Sequence, residues 1–210
     1  MARMRKAARL WRDEARAAAA PIIAAGRADY FTVEPRELFG REAPLELEIG
    51  AGRGDFILER AAAAPERNFL AIELAATVAH LMAVRAGRRG LSNLRVIRMD
   101  ARPLVHLMLA AGSVSACHIY FPDPWPKDRQ AKHRLFTPDF ARGLVRVLAP
   151  DAPLYVATDV QNYARVIFLT LEAVGFIRTG STVPGASLTG FARKFIEEGR
   201  PIYAAAFVVG

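Results

Sequence analysis

The sequence predicts an α/β fold in which a mostly parallel sheet carries helices on both faces. Three observations lead there. Short apolar runs alternate with longer helical patterns, a glycine-rich turn follows the first clear run, and acidic residues stand at successive run ends. Sheets of this kind bind ligands beyond the carboxyl ends of their strands, where the strand order reverses.

In order along the chain, strands are expected over residues 45–49, 68–74, 94–99, 116–121, 154–158 and 202–209. Each is a short β-branched or aliphatic run. Helices are expected over 55–64, 75–88, 138–148 and 163–174, with a shorter one near 104–110. Thr137 precedes Pro138, which places a side-chain acceptor at the N-cap and a pre-set φ at the first helical residue. The alanine-rich start reads as a basic amphipathic helix, because Arg12, Asp13, Glu14, Arg16 and Gly26 break its apolar stretches. The expected organisation is a basic, helical extension over 1–40 followed by one domain over 41–210.

Composition narrows the function. With 52% hydrophobic residues in 210, the chain builds a full core and is not of the disordered class. The single cysteine, Cys117, excludes an internal disulfide framework and sits in an apolar run as a small core residue. No run approaches the roughly 20 apolar residues of a membrane span. Asp13 and Glu14 are unwelcome in an organelle transit peptide, so the protein is read as cytoplasmic. The four histidines lack metal-ligand spacing, and no metal is expected. A net charge of +8 asks for an anionic partner, and nucleic acid is the usual one. The charge is clustered, first at Arg3, Arg5, Lys6, Arg9, Arg12 and Arg16, then at Lys127, Arg129, Lys132 and Arg134. No obligatory protein partner is evident, and the oligomeric state is left open.

Two stretches carry the chemistry. Glu48-Ile49-Gly50-Ala51-Gly52-Arg53-Gly54 joins the first of these strands to the first helix of the domain. Gly50 and Gly52 let the backbone turn and approach a ligand, and Glu73 at the next strand end suits both hydroxyls of an adenosine ribose. A dinucleotide fingerprint would need glycine at position 55, where Asp55 stands. Glu48 and Asp100 favour a cationic ligand over a pyrophosphate, with Asp100 placed to meet an adenine amino group. S-adenosylmethionine, a sulfonium with an amino-acid tail, fits these acids. The second stretch, Phe121-Pro122-Asp123-Pro124-Trp125-Pro126-Lys127, follows the fourth strand expected from the sequence. Its prolines stiffen the loop, and Trp125 offers a face on which a base stacks. The basic residues that follow read as a phosphate clamp.

The first stretch resembles the class I methyltransferases. The second, with Ala157-Thr158-Asp159 and the tail 189–207, resembles the tRNA (guanine-N7-)-methyltransferase family over about residues 45–209. The resemblance implies a Rossmann-like, mostly parallel seven-stranded sheet with an antiparallel C-terminal strand. It implies methyl transfer from S-adenosylmethionine to N7 of a guanine in tRNA, at the variable-loop position 46. On the family pattern Glu48, Gly50, Gly52, Glu73, Asp100 and Asp123 hold the cofactor, and Asp123 is also the catalytic residue. Lys127, Asp159, Thr189 and Phe191 hold the substrate, while Arg129, Lys132 and Arg134 contact RNA. One departure stands out. The family carries Thr-Lys/Arg-Phe-Glu where this chain has Thr189-Gly190-Phe191-Ala192, with Arg193 and Lys194 following.

Overall fold

A computed structural model of the chain describes residues 22–24, 33, 35–185 and 189–210. Its strands are β1 (Ile22–Ala24), β2 (Leu45–Ile49), β3 (Asn68–Glu73), β4 (Leu94–Arg98), β5 (Val114–Tyr120), β6 (Leu154–Thr158), β7 (Phe176–Thr179) and β8 (Tyr203–Val209). Its helices are α1 (Pro35–Phe39), α2 (Asp55–Ala63), α3 (Ala76–Arg88), α4 (Ala101–Pro103), α5 (Pro138–Val147), α6 (Gln161–Glu172) and α7 (Gly190–Glu197). After α4 the chain continues as a π-helical turn, Leu104–Met108, and a 3₁₀ segment covers Asp128–His133.

The strands form one sheet in the order β1-β4-β3-β2-β5-β6-β8-β7, parallel throughout except where β8 runs antiparallel to β6 and β7. The chain runs outward from β2 through β3 to β4, then returns to place β5 on the other side of β2. The strand order therefore reverses between β2 and β5, and the loops after these two strands flank the crevice.

The expected alternation holds, with several differences, α1 and α7 being helices that the sequence reading does not place. A seventh domain strand, β7, goes unread in the sequence because it is four residues long and only Phe176 is buried within it. It is stabilised from its neighbours: Phe176 packs edge-on to Phe207 at 6.4 Å, and the Arg178 guanidinium lies 4.5 Å over the Phe168 ring. Residues 1–40 are also not uniformly helical where they are described. Ile22–Ala24 is a strand parallel to β4, making the sheet eight-stranded, and the backbone of Val33 bonds to Met108. Adding a strand there covers an edge that would otherwise present unpaired amides. The basic helix expected over the first residues lies outside the described residues. Finally, the segment near 104–110 is the π-helical turn rather than an α-helix.

Two apolar layers sandwich the sheet. Leu45, Leu47 and Ile49 of β2 face the layer built from Leu144, Ile167 and Phe207, whereas Phe56, Ile57, Leu58 and Met82 form the layer on the other side. Cys117 is fully buried, and burial pushes its thiol well above the ordinary range. Thr137 caps α5 by accepting from the Phe140 amide at 3.2 Å. The period-2 pattern of β2 puts Glu46 and Glu48 together on the α2 side, and both are buried, at 1% and 3% exposure. An alternating Leu-Glu-Leu-Glu strand would normally turn its acids to water. Here each is accommodated differently. Glu46 accepts from Arg60 at 2.9–3.0 Å, and Arg67 lies at 3.0 Å. His118 and the Arg60 guanidinium outweigh burial and hold its carboxyl down at about 2. Glu48 has no such partner.

Candidate active site

The reversal point opens into two adjoining cavities. The larger, about 520 Å³, falls within the roughly 300–1,000 Å³ of ligand pockets. Gly50, Gly52, Glu73, Asp100, Asp123 and Trp125 all line it. The smaller, about 290 Å³, reaches down to Glu48 and is walled by Thr189, Phe191 and Lys194. Gly50, Gly52, Tyr120, Phe121 and Phe191 belong to both, so the cavities share a wall.

Local chemistry explains the shape. After β2 the backbone turns through Gly50 and Gly52 at φ of 73° and 55°. Glu73 closes that turn from the neighbouring strand: one carboxylate oxygen accepts from the Gly52 amide at 2.9 Å and the other from Ala75 at 2.8 Å. Each oxygen keeps a second lone pair for a ligand hydroxyl. Asp100 caps α4 through the Arg102 amide at 2.9 Å and pairs with the Arg102 guanidinium at 2.8 Å. Arg102 also donates to the backbone carbonyls of His133 and Arg134, tying the Asp100 side of the cavity to the basic segment.

Glu48 is the site's electrostatic anomaly. One carboxyl oxygen, Oε2, is buried with no hydrogen-bond partner. Burial, and then the charges of Asp55 and Glu73, push its pKa well above the ordinary carboxylate range, against the opposing bond from the Ile57 amide. A buried acid without a counter-ion stays neutral until a cation arrives. The donor set thus fits the ammonium end of S-adenosylmethionine, with Glu73 and Asp100 on the nucleoside side.

The loop after β5 is held in a strained shape. Phe121 and Trp125 take left-handed φ values of 52° and 40°, conformations that cost non-glycine residues about 1–3 kcal/mol each. Arg134 bonds to the carbonyls of Pro124 at 2.9 Å and Trp125 at 3.0 Å, and the Phe121 amide to Ala157 at 2.7 Å. Trp125 stands 5.2 Å from the His133 ring. Exposed Asp123 projects at the mouth of the larger cavity.

The remaining site residues expected from the sequence divide. Thr189 caps α7 through the Ala192 amide at 3.0 Å, and Phe191 is 60% exposed on the shared wall. Lys132 lines the larger cavity. Lys127 and Arg129 are exposed but line neither cavity, and Asp159 also lies outside both, paired with Arg200. The Arg134 guanidinium braces the loop through the carbonyls of Pro124 and Trp125. Arg102 and Tyr120 are wall residues that the sequence reading does not single out. Only Arg102 left a signal, as a cation two residues after Asp100. The departure at 189–192 also has a local basis. A side chain at Gly190 would begin 2.8 Å from the Asp55 carboxylate, and Ala192 is fully buried. Among the described residues no group of His, Cys, Asp and Glu gathers as metal ligands, and no helix is long and apolar enough to cross a membrane.

Comparison with known proteins decides the family. The model of the family described as "Putative methyltransferase" matches residues 42–205. A tRNA (guanine-N(7)-)-methyltransferase of Myxococcus xanthus is 40% identical over 173 residues, covering 80% of this chain and 84% of the relative. The chain belongs to the tRNA (guanine-N(7)-)-methyltransferase family. Proteins of the same name from Leifsonia xyli subsp. xyli (40% identical, 79% of this chain and 76% of the relative) and Syntrophotalea carbinolica (37%, 79% and 74%) agree. The fold also matches solved methyltransferases. The 16S rRNA methyltransferase KamB superposes with a TM-score of 0.65 over 90% of this chain and 98% of its own, at 17% identity. A SAM-dependent methyltransferase from Aquifex aeolicus gives 0.58 over 94% and 98%, at 14% identity. The fold is thus that of the class I methyltransferases.

Removing the exposed cations after that loop tests their part in binding. Arg129→Ala with Lys132→Ala should flatten the log–log salt dependence of tRNA affinity by up to about 0.9 for each phosphate no longer neutralised, with unrelated tRNAs weakened alike. Filter binding across a salt series reads this directly. An unchanged slope would leave the segment a solvated loop.

Proposed function

We propose that this chain transfers a methyl group from S-adenosylmethionine to N7 of a guanine in tRNA, the variable-loop guanine at position 46, in the cytoplasm. The observation that carries the reading is the unpartnered carboxyl oxygen of Glu48 in a crevice whose shared wall leads to Asp123. A cation-seeking pocket thus adjoins a loop built for a base, and relatives at 37–40% identity are named for this activity. Residues 41–210 form the catalytic unit, and the basic extension before them adds phosphate contacts.

S-adenosylmethionine supplies an electrophilic methyl group on a cationic sulfur. Guanine N7 carries a lone pair and no proton, so no residue has to act as a base in the attack. The protein's work is positioning and exclusion of water. Glu48 and Asp100 hold the two ends of the donor, Glu73 holds its ribose, and Trp125 and Phe191 present flat faces to the base. As the ring gains positive charge, the Asp123 carboxylate attracts it more strongly than the neutral base, which lowers the barrier.

Purified protein incubated with unmodified tRNA and a radiolabelled methyl donor should label the RNA. Reduction followed by aniline treatment should then cut the chain at one guanine, because N7 methylation sensitises that nucleotide. Labelled RNA that resists cleavage would move the acceptor to another atom, and unlabelled RNA would end the proposal.

A further inference from the structure

We propose that Tyr120 is a positioning residue for the substrate-side wall, its hydroxyl holding the backbone at Pro184 and Gly185, the described residues that precede Thr189 and Phe191 in the chain. The proposal rests on the functional reading above, and it concerns residues to which that reading gives no role.

Tyr120 ends β5, one residue before the loop that carries Asp123. Tyr120 lines both cavities, and its hydroxyl donates to the carbonyl of Pro184. Burial raises the phenol well above its ordinary pKa, so it remains a donor. That proton is committed to Pro184, and Nδ1 of His118 lies 2.9 Å from the tyrosine oxygen. His118 is itself fixed. Its other ring nitrogen lies 3.4 Å from Glu46, its face stacks on Tyr155 at 5.1 Å, and Phe56 packs at 4.8 Å. Glu46 is anchored in turn by Arg60 and Arg67. A buried polar chain therefore runs through the sheet interior and ends on a single backbone carbonyl outside it. Buried polar networks of this kind rigidify the geometry they join.

The next residue shows how closely the segment is held. Gly185 has φ of 80°, and a Cβ there would fall 2.1 Å from the Phe56 ring. The same Phe56 ring meets Tyr120 edge-on at 5.2 Å. On the far side of the wall, Asp55 lies against Gly190 and 3.6 Å from Arg193. Residues 184–185 and the start of α7 are thus seated on α2 and β5, and Phe191 follows at once on the shared wall. The seat ties the substrate side of the site to the β2–β5 core, beside the cofactor turn.

The test compares full-length wild type, Tyr120→Phe and Gly185→Ala. Tyr120→Phe keeps the ring and removes the donor. Its expected signature is a KM for tRNA raised by up to about tenfold, the value of one net hydrogen bond. The change in kcat should be small, cofactor affinity unaltered and the melting temperature lower by only a few degrees. Amide exchange in the first turn of α7 should quicken selectively. Gly185→Ala should reproduce that pattern by displacing the segment from the other side. Unchanged KM and exchange in Tyr120→Phe would overturn the proposal, as would a uniform rise in exchange with kcat and KM both degraded. A response confined to Gly185→Ala would assign the seat to Phe56 instead and equally overturn it. If wild type fails to methylate tRNA, the functional reading falls, and the exchange comparison alone decides the role of Tyr120.

Discussion

Asp123→Ala should lower kcat by about two orders of magnitude, the scale of losing one preorganised electrostatic contact in a transition state. The carboxylate stands at the cavity mouth on a loop whose backbone is strained at Phe121 and Trp125 and braced by Arg134. Because the attraction grows only as the base becomes cationic, KM for tRNA should change little. Asn is the instructive companion. It keeps the shape and hydrogen-bonding reach of Asp but not the charge, so Asp123→Asn should fall nearly as far if charge is what matters. Single-turnover rates with saturating cofactor separate chemistry from binding. Retention of more than about a tenth of the wild-type rate, a loss under ~1.4 kcal/mol of barrier, would remove Asp123 from the mechanism.

The second large effect is expected at Glu48. Glu48→Gln should weaken S-adenosylmethionine binding by at least about a hundredfold, since breaking a buried ion pair costs roughly 3–5 kcal/mol. The same substitution should stabilise the cofactor-free protein at neutral pH. The sign follows from the raised pKa: above about pH 4.5 the unfolded chain has already released this proton while the folded chain still retains it. Stability therefore declines as pH rises from there towards the folded pKa, and glutamine removes the dependence. Wild-type cofactor binding should also release a proton from Glu48, visible as a buffer-dependent calorimetric enthalpy that vanishes in the variant. Equal cofactor affinity in both proteins, or destabilisation of the cofactor-free variant, would show that Glu48 is an ordinary structural acid.

Much of this site is legible from residue types and order. The turn through Gly50 and Gly52, the acids at the ends of β2, β3 and β4, and the Asp123 loop after β5 are contiguous signals. Parallel topology then brings strand ends to one edge of the sheet, so their convergence follows from the alternation of elements. Tyr120 had no such signal, since its bond to Pro184 joins segments 64 residues apart. Arg134 shows the opposite case. Its place in a basic run suggests RNA and gives no hint that its guanidinium also reaches two carbonyls ten and nine residues upstream.

The chain's order and chemistry by themselves determined the parallel sheet, the position of the crevice, the acidic character of its cofactor side and the family. What only the tertiary structure decided is how identical side chains differ. Glu46 and Glu48 lie two residues apart on one face of one strand, and sequence gives them the same environment. In the folded chain His118 and Arg60 hold the Glu46 carboxyl down, while Glu48 is buried with an oxygen unpaired and its pKa pushed up. The energy of a buried charge depends on which opposite charges the fold brings within a few ångströms, and that is set by packing across the sheet rather than by neighbours along the chain.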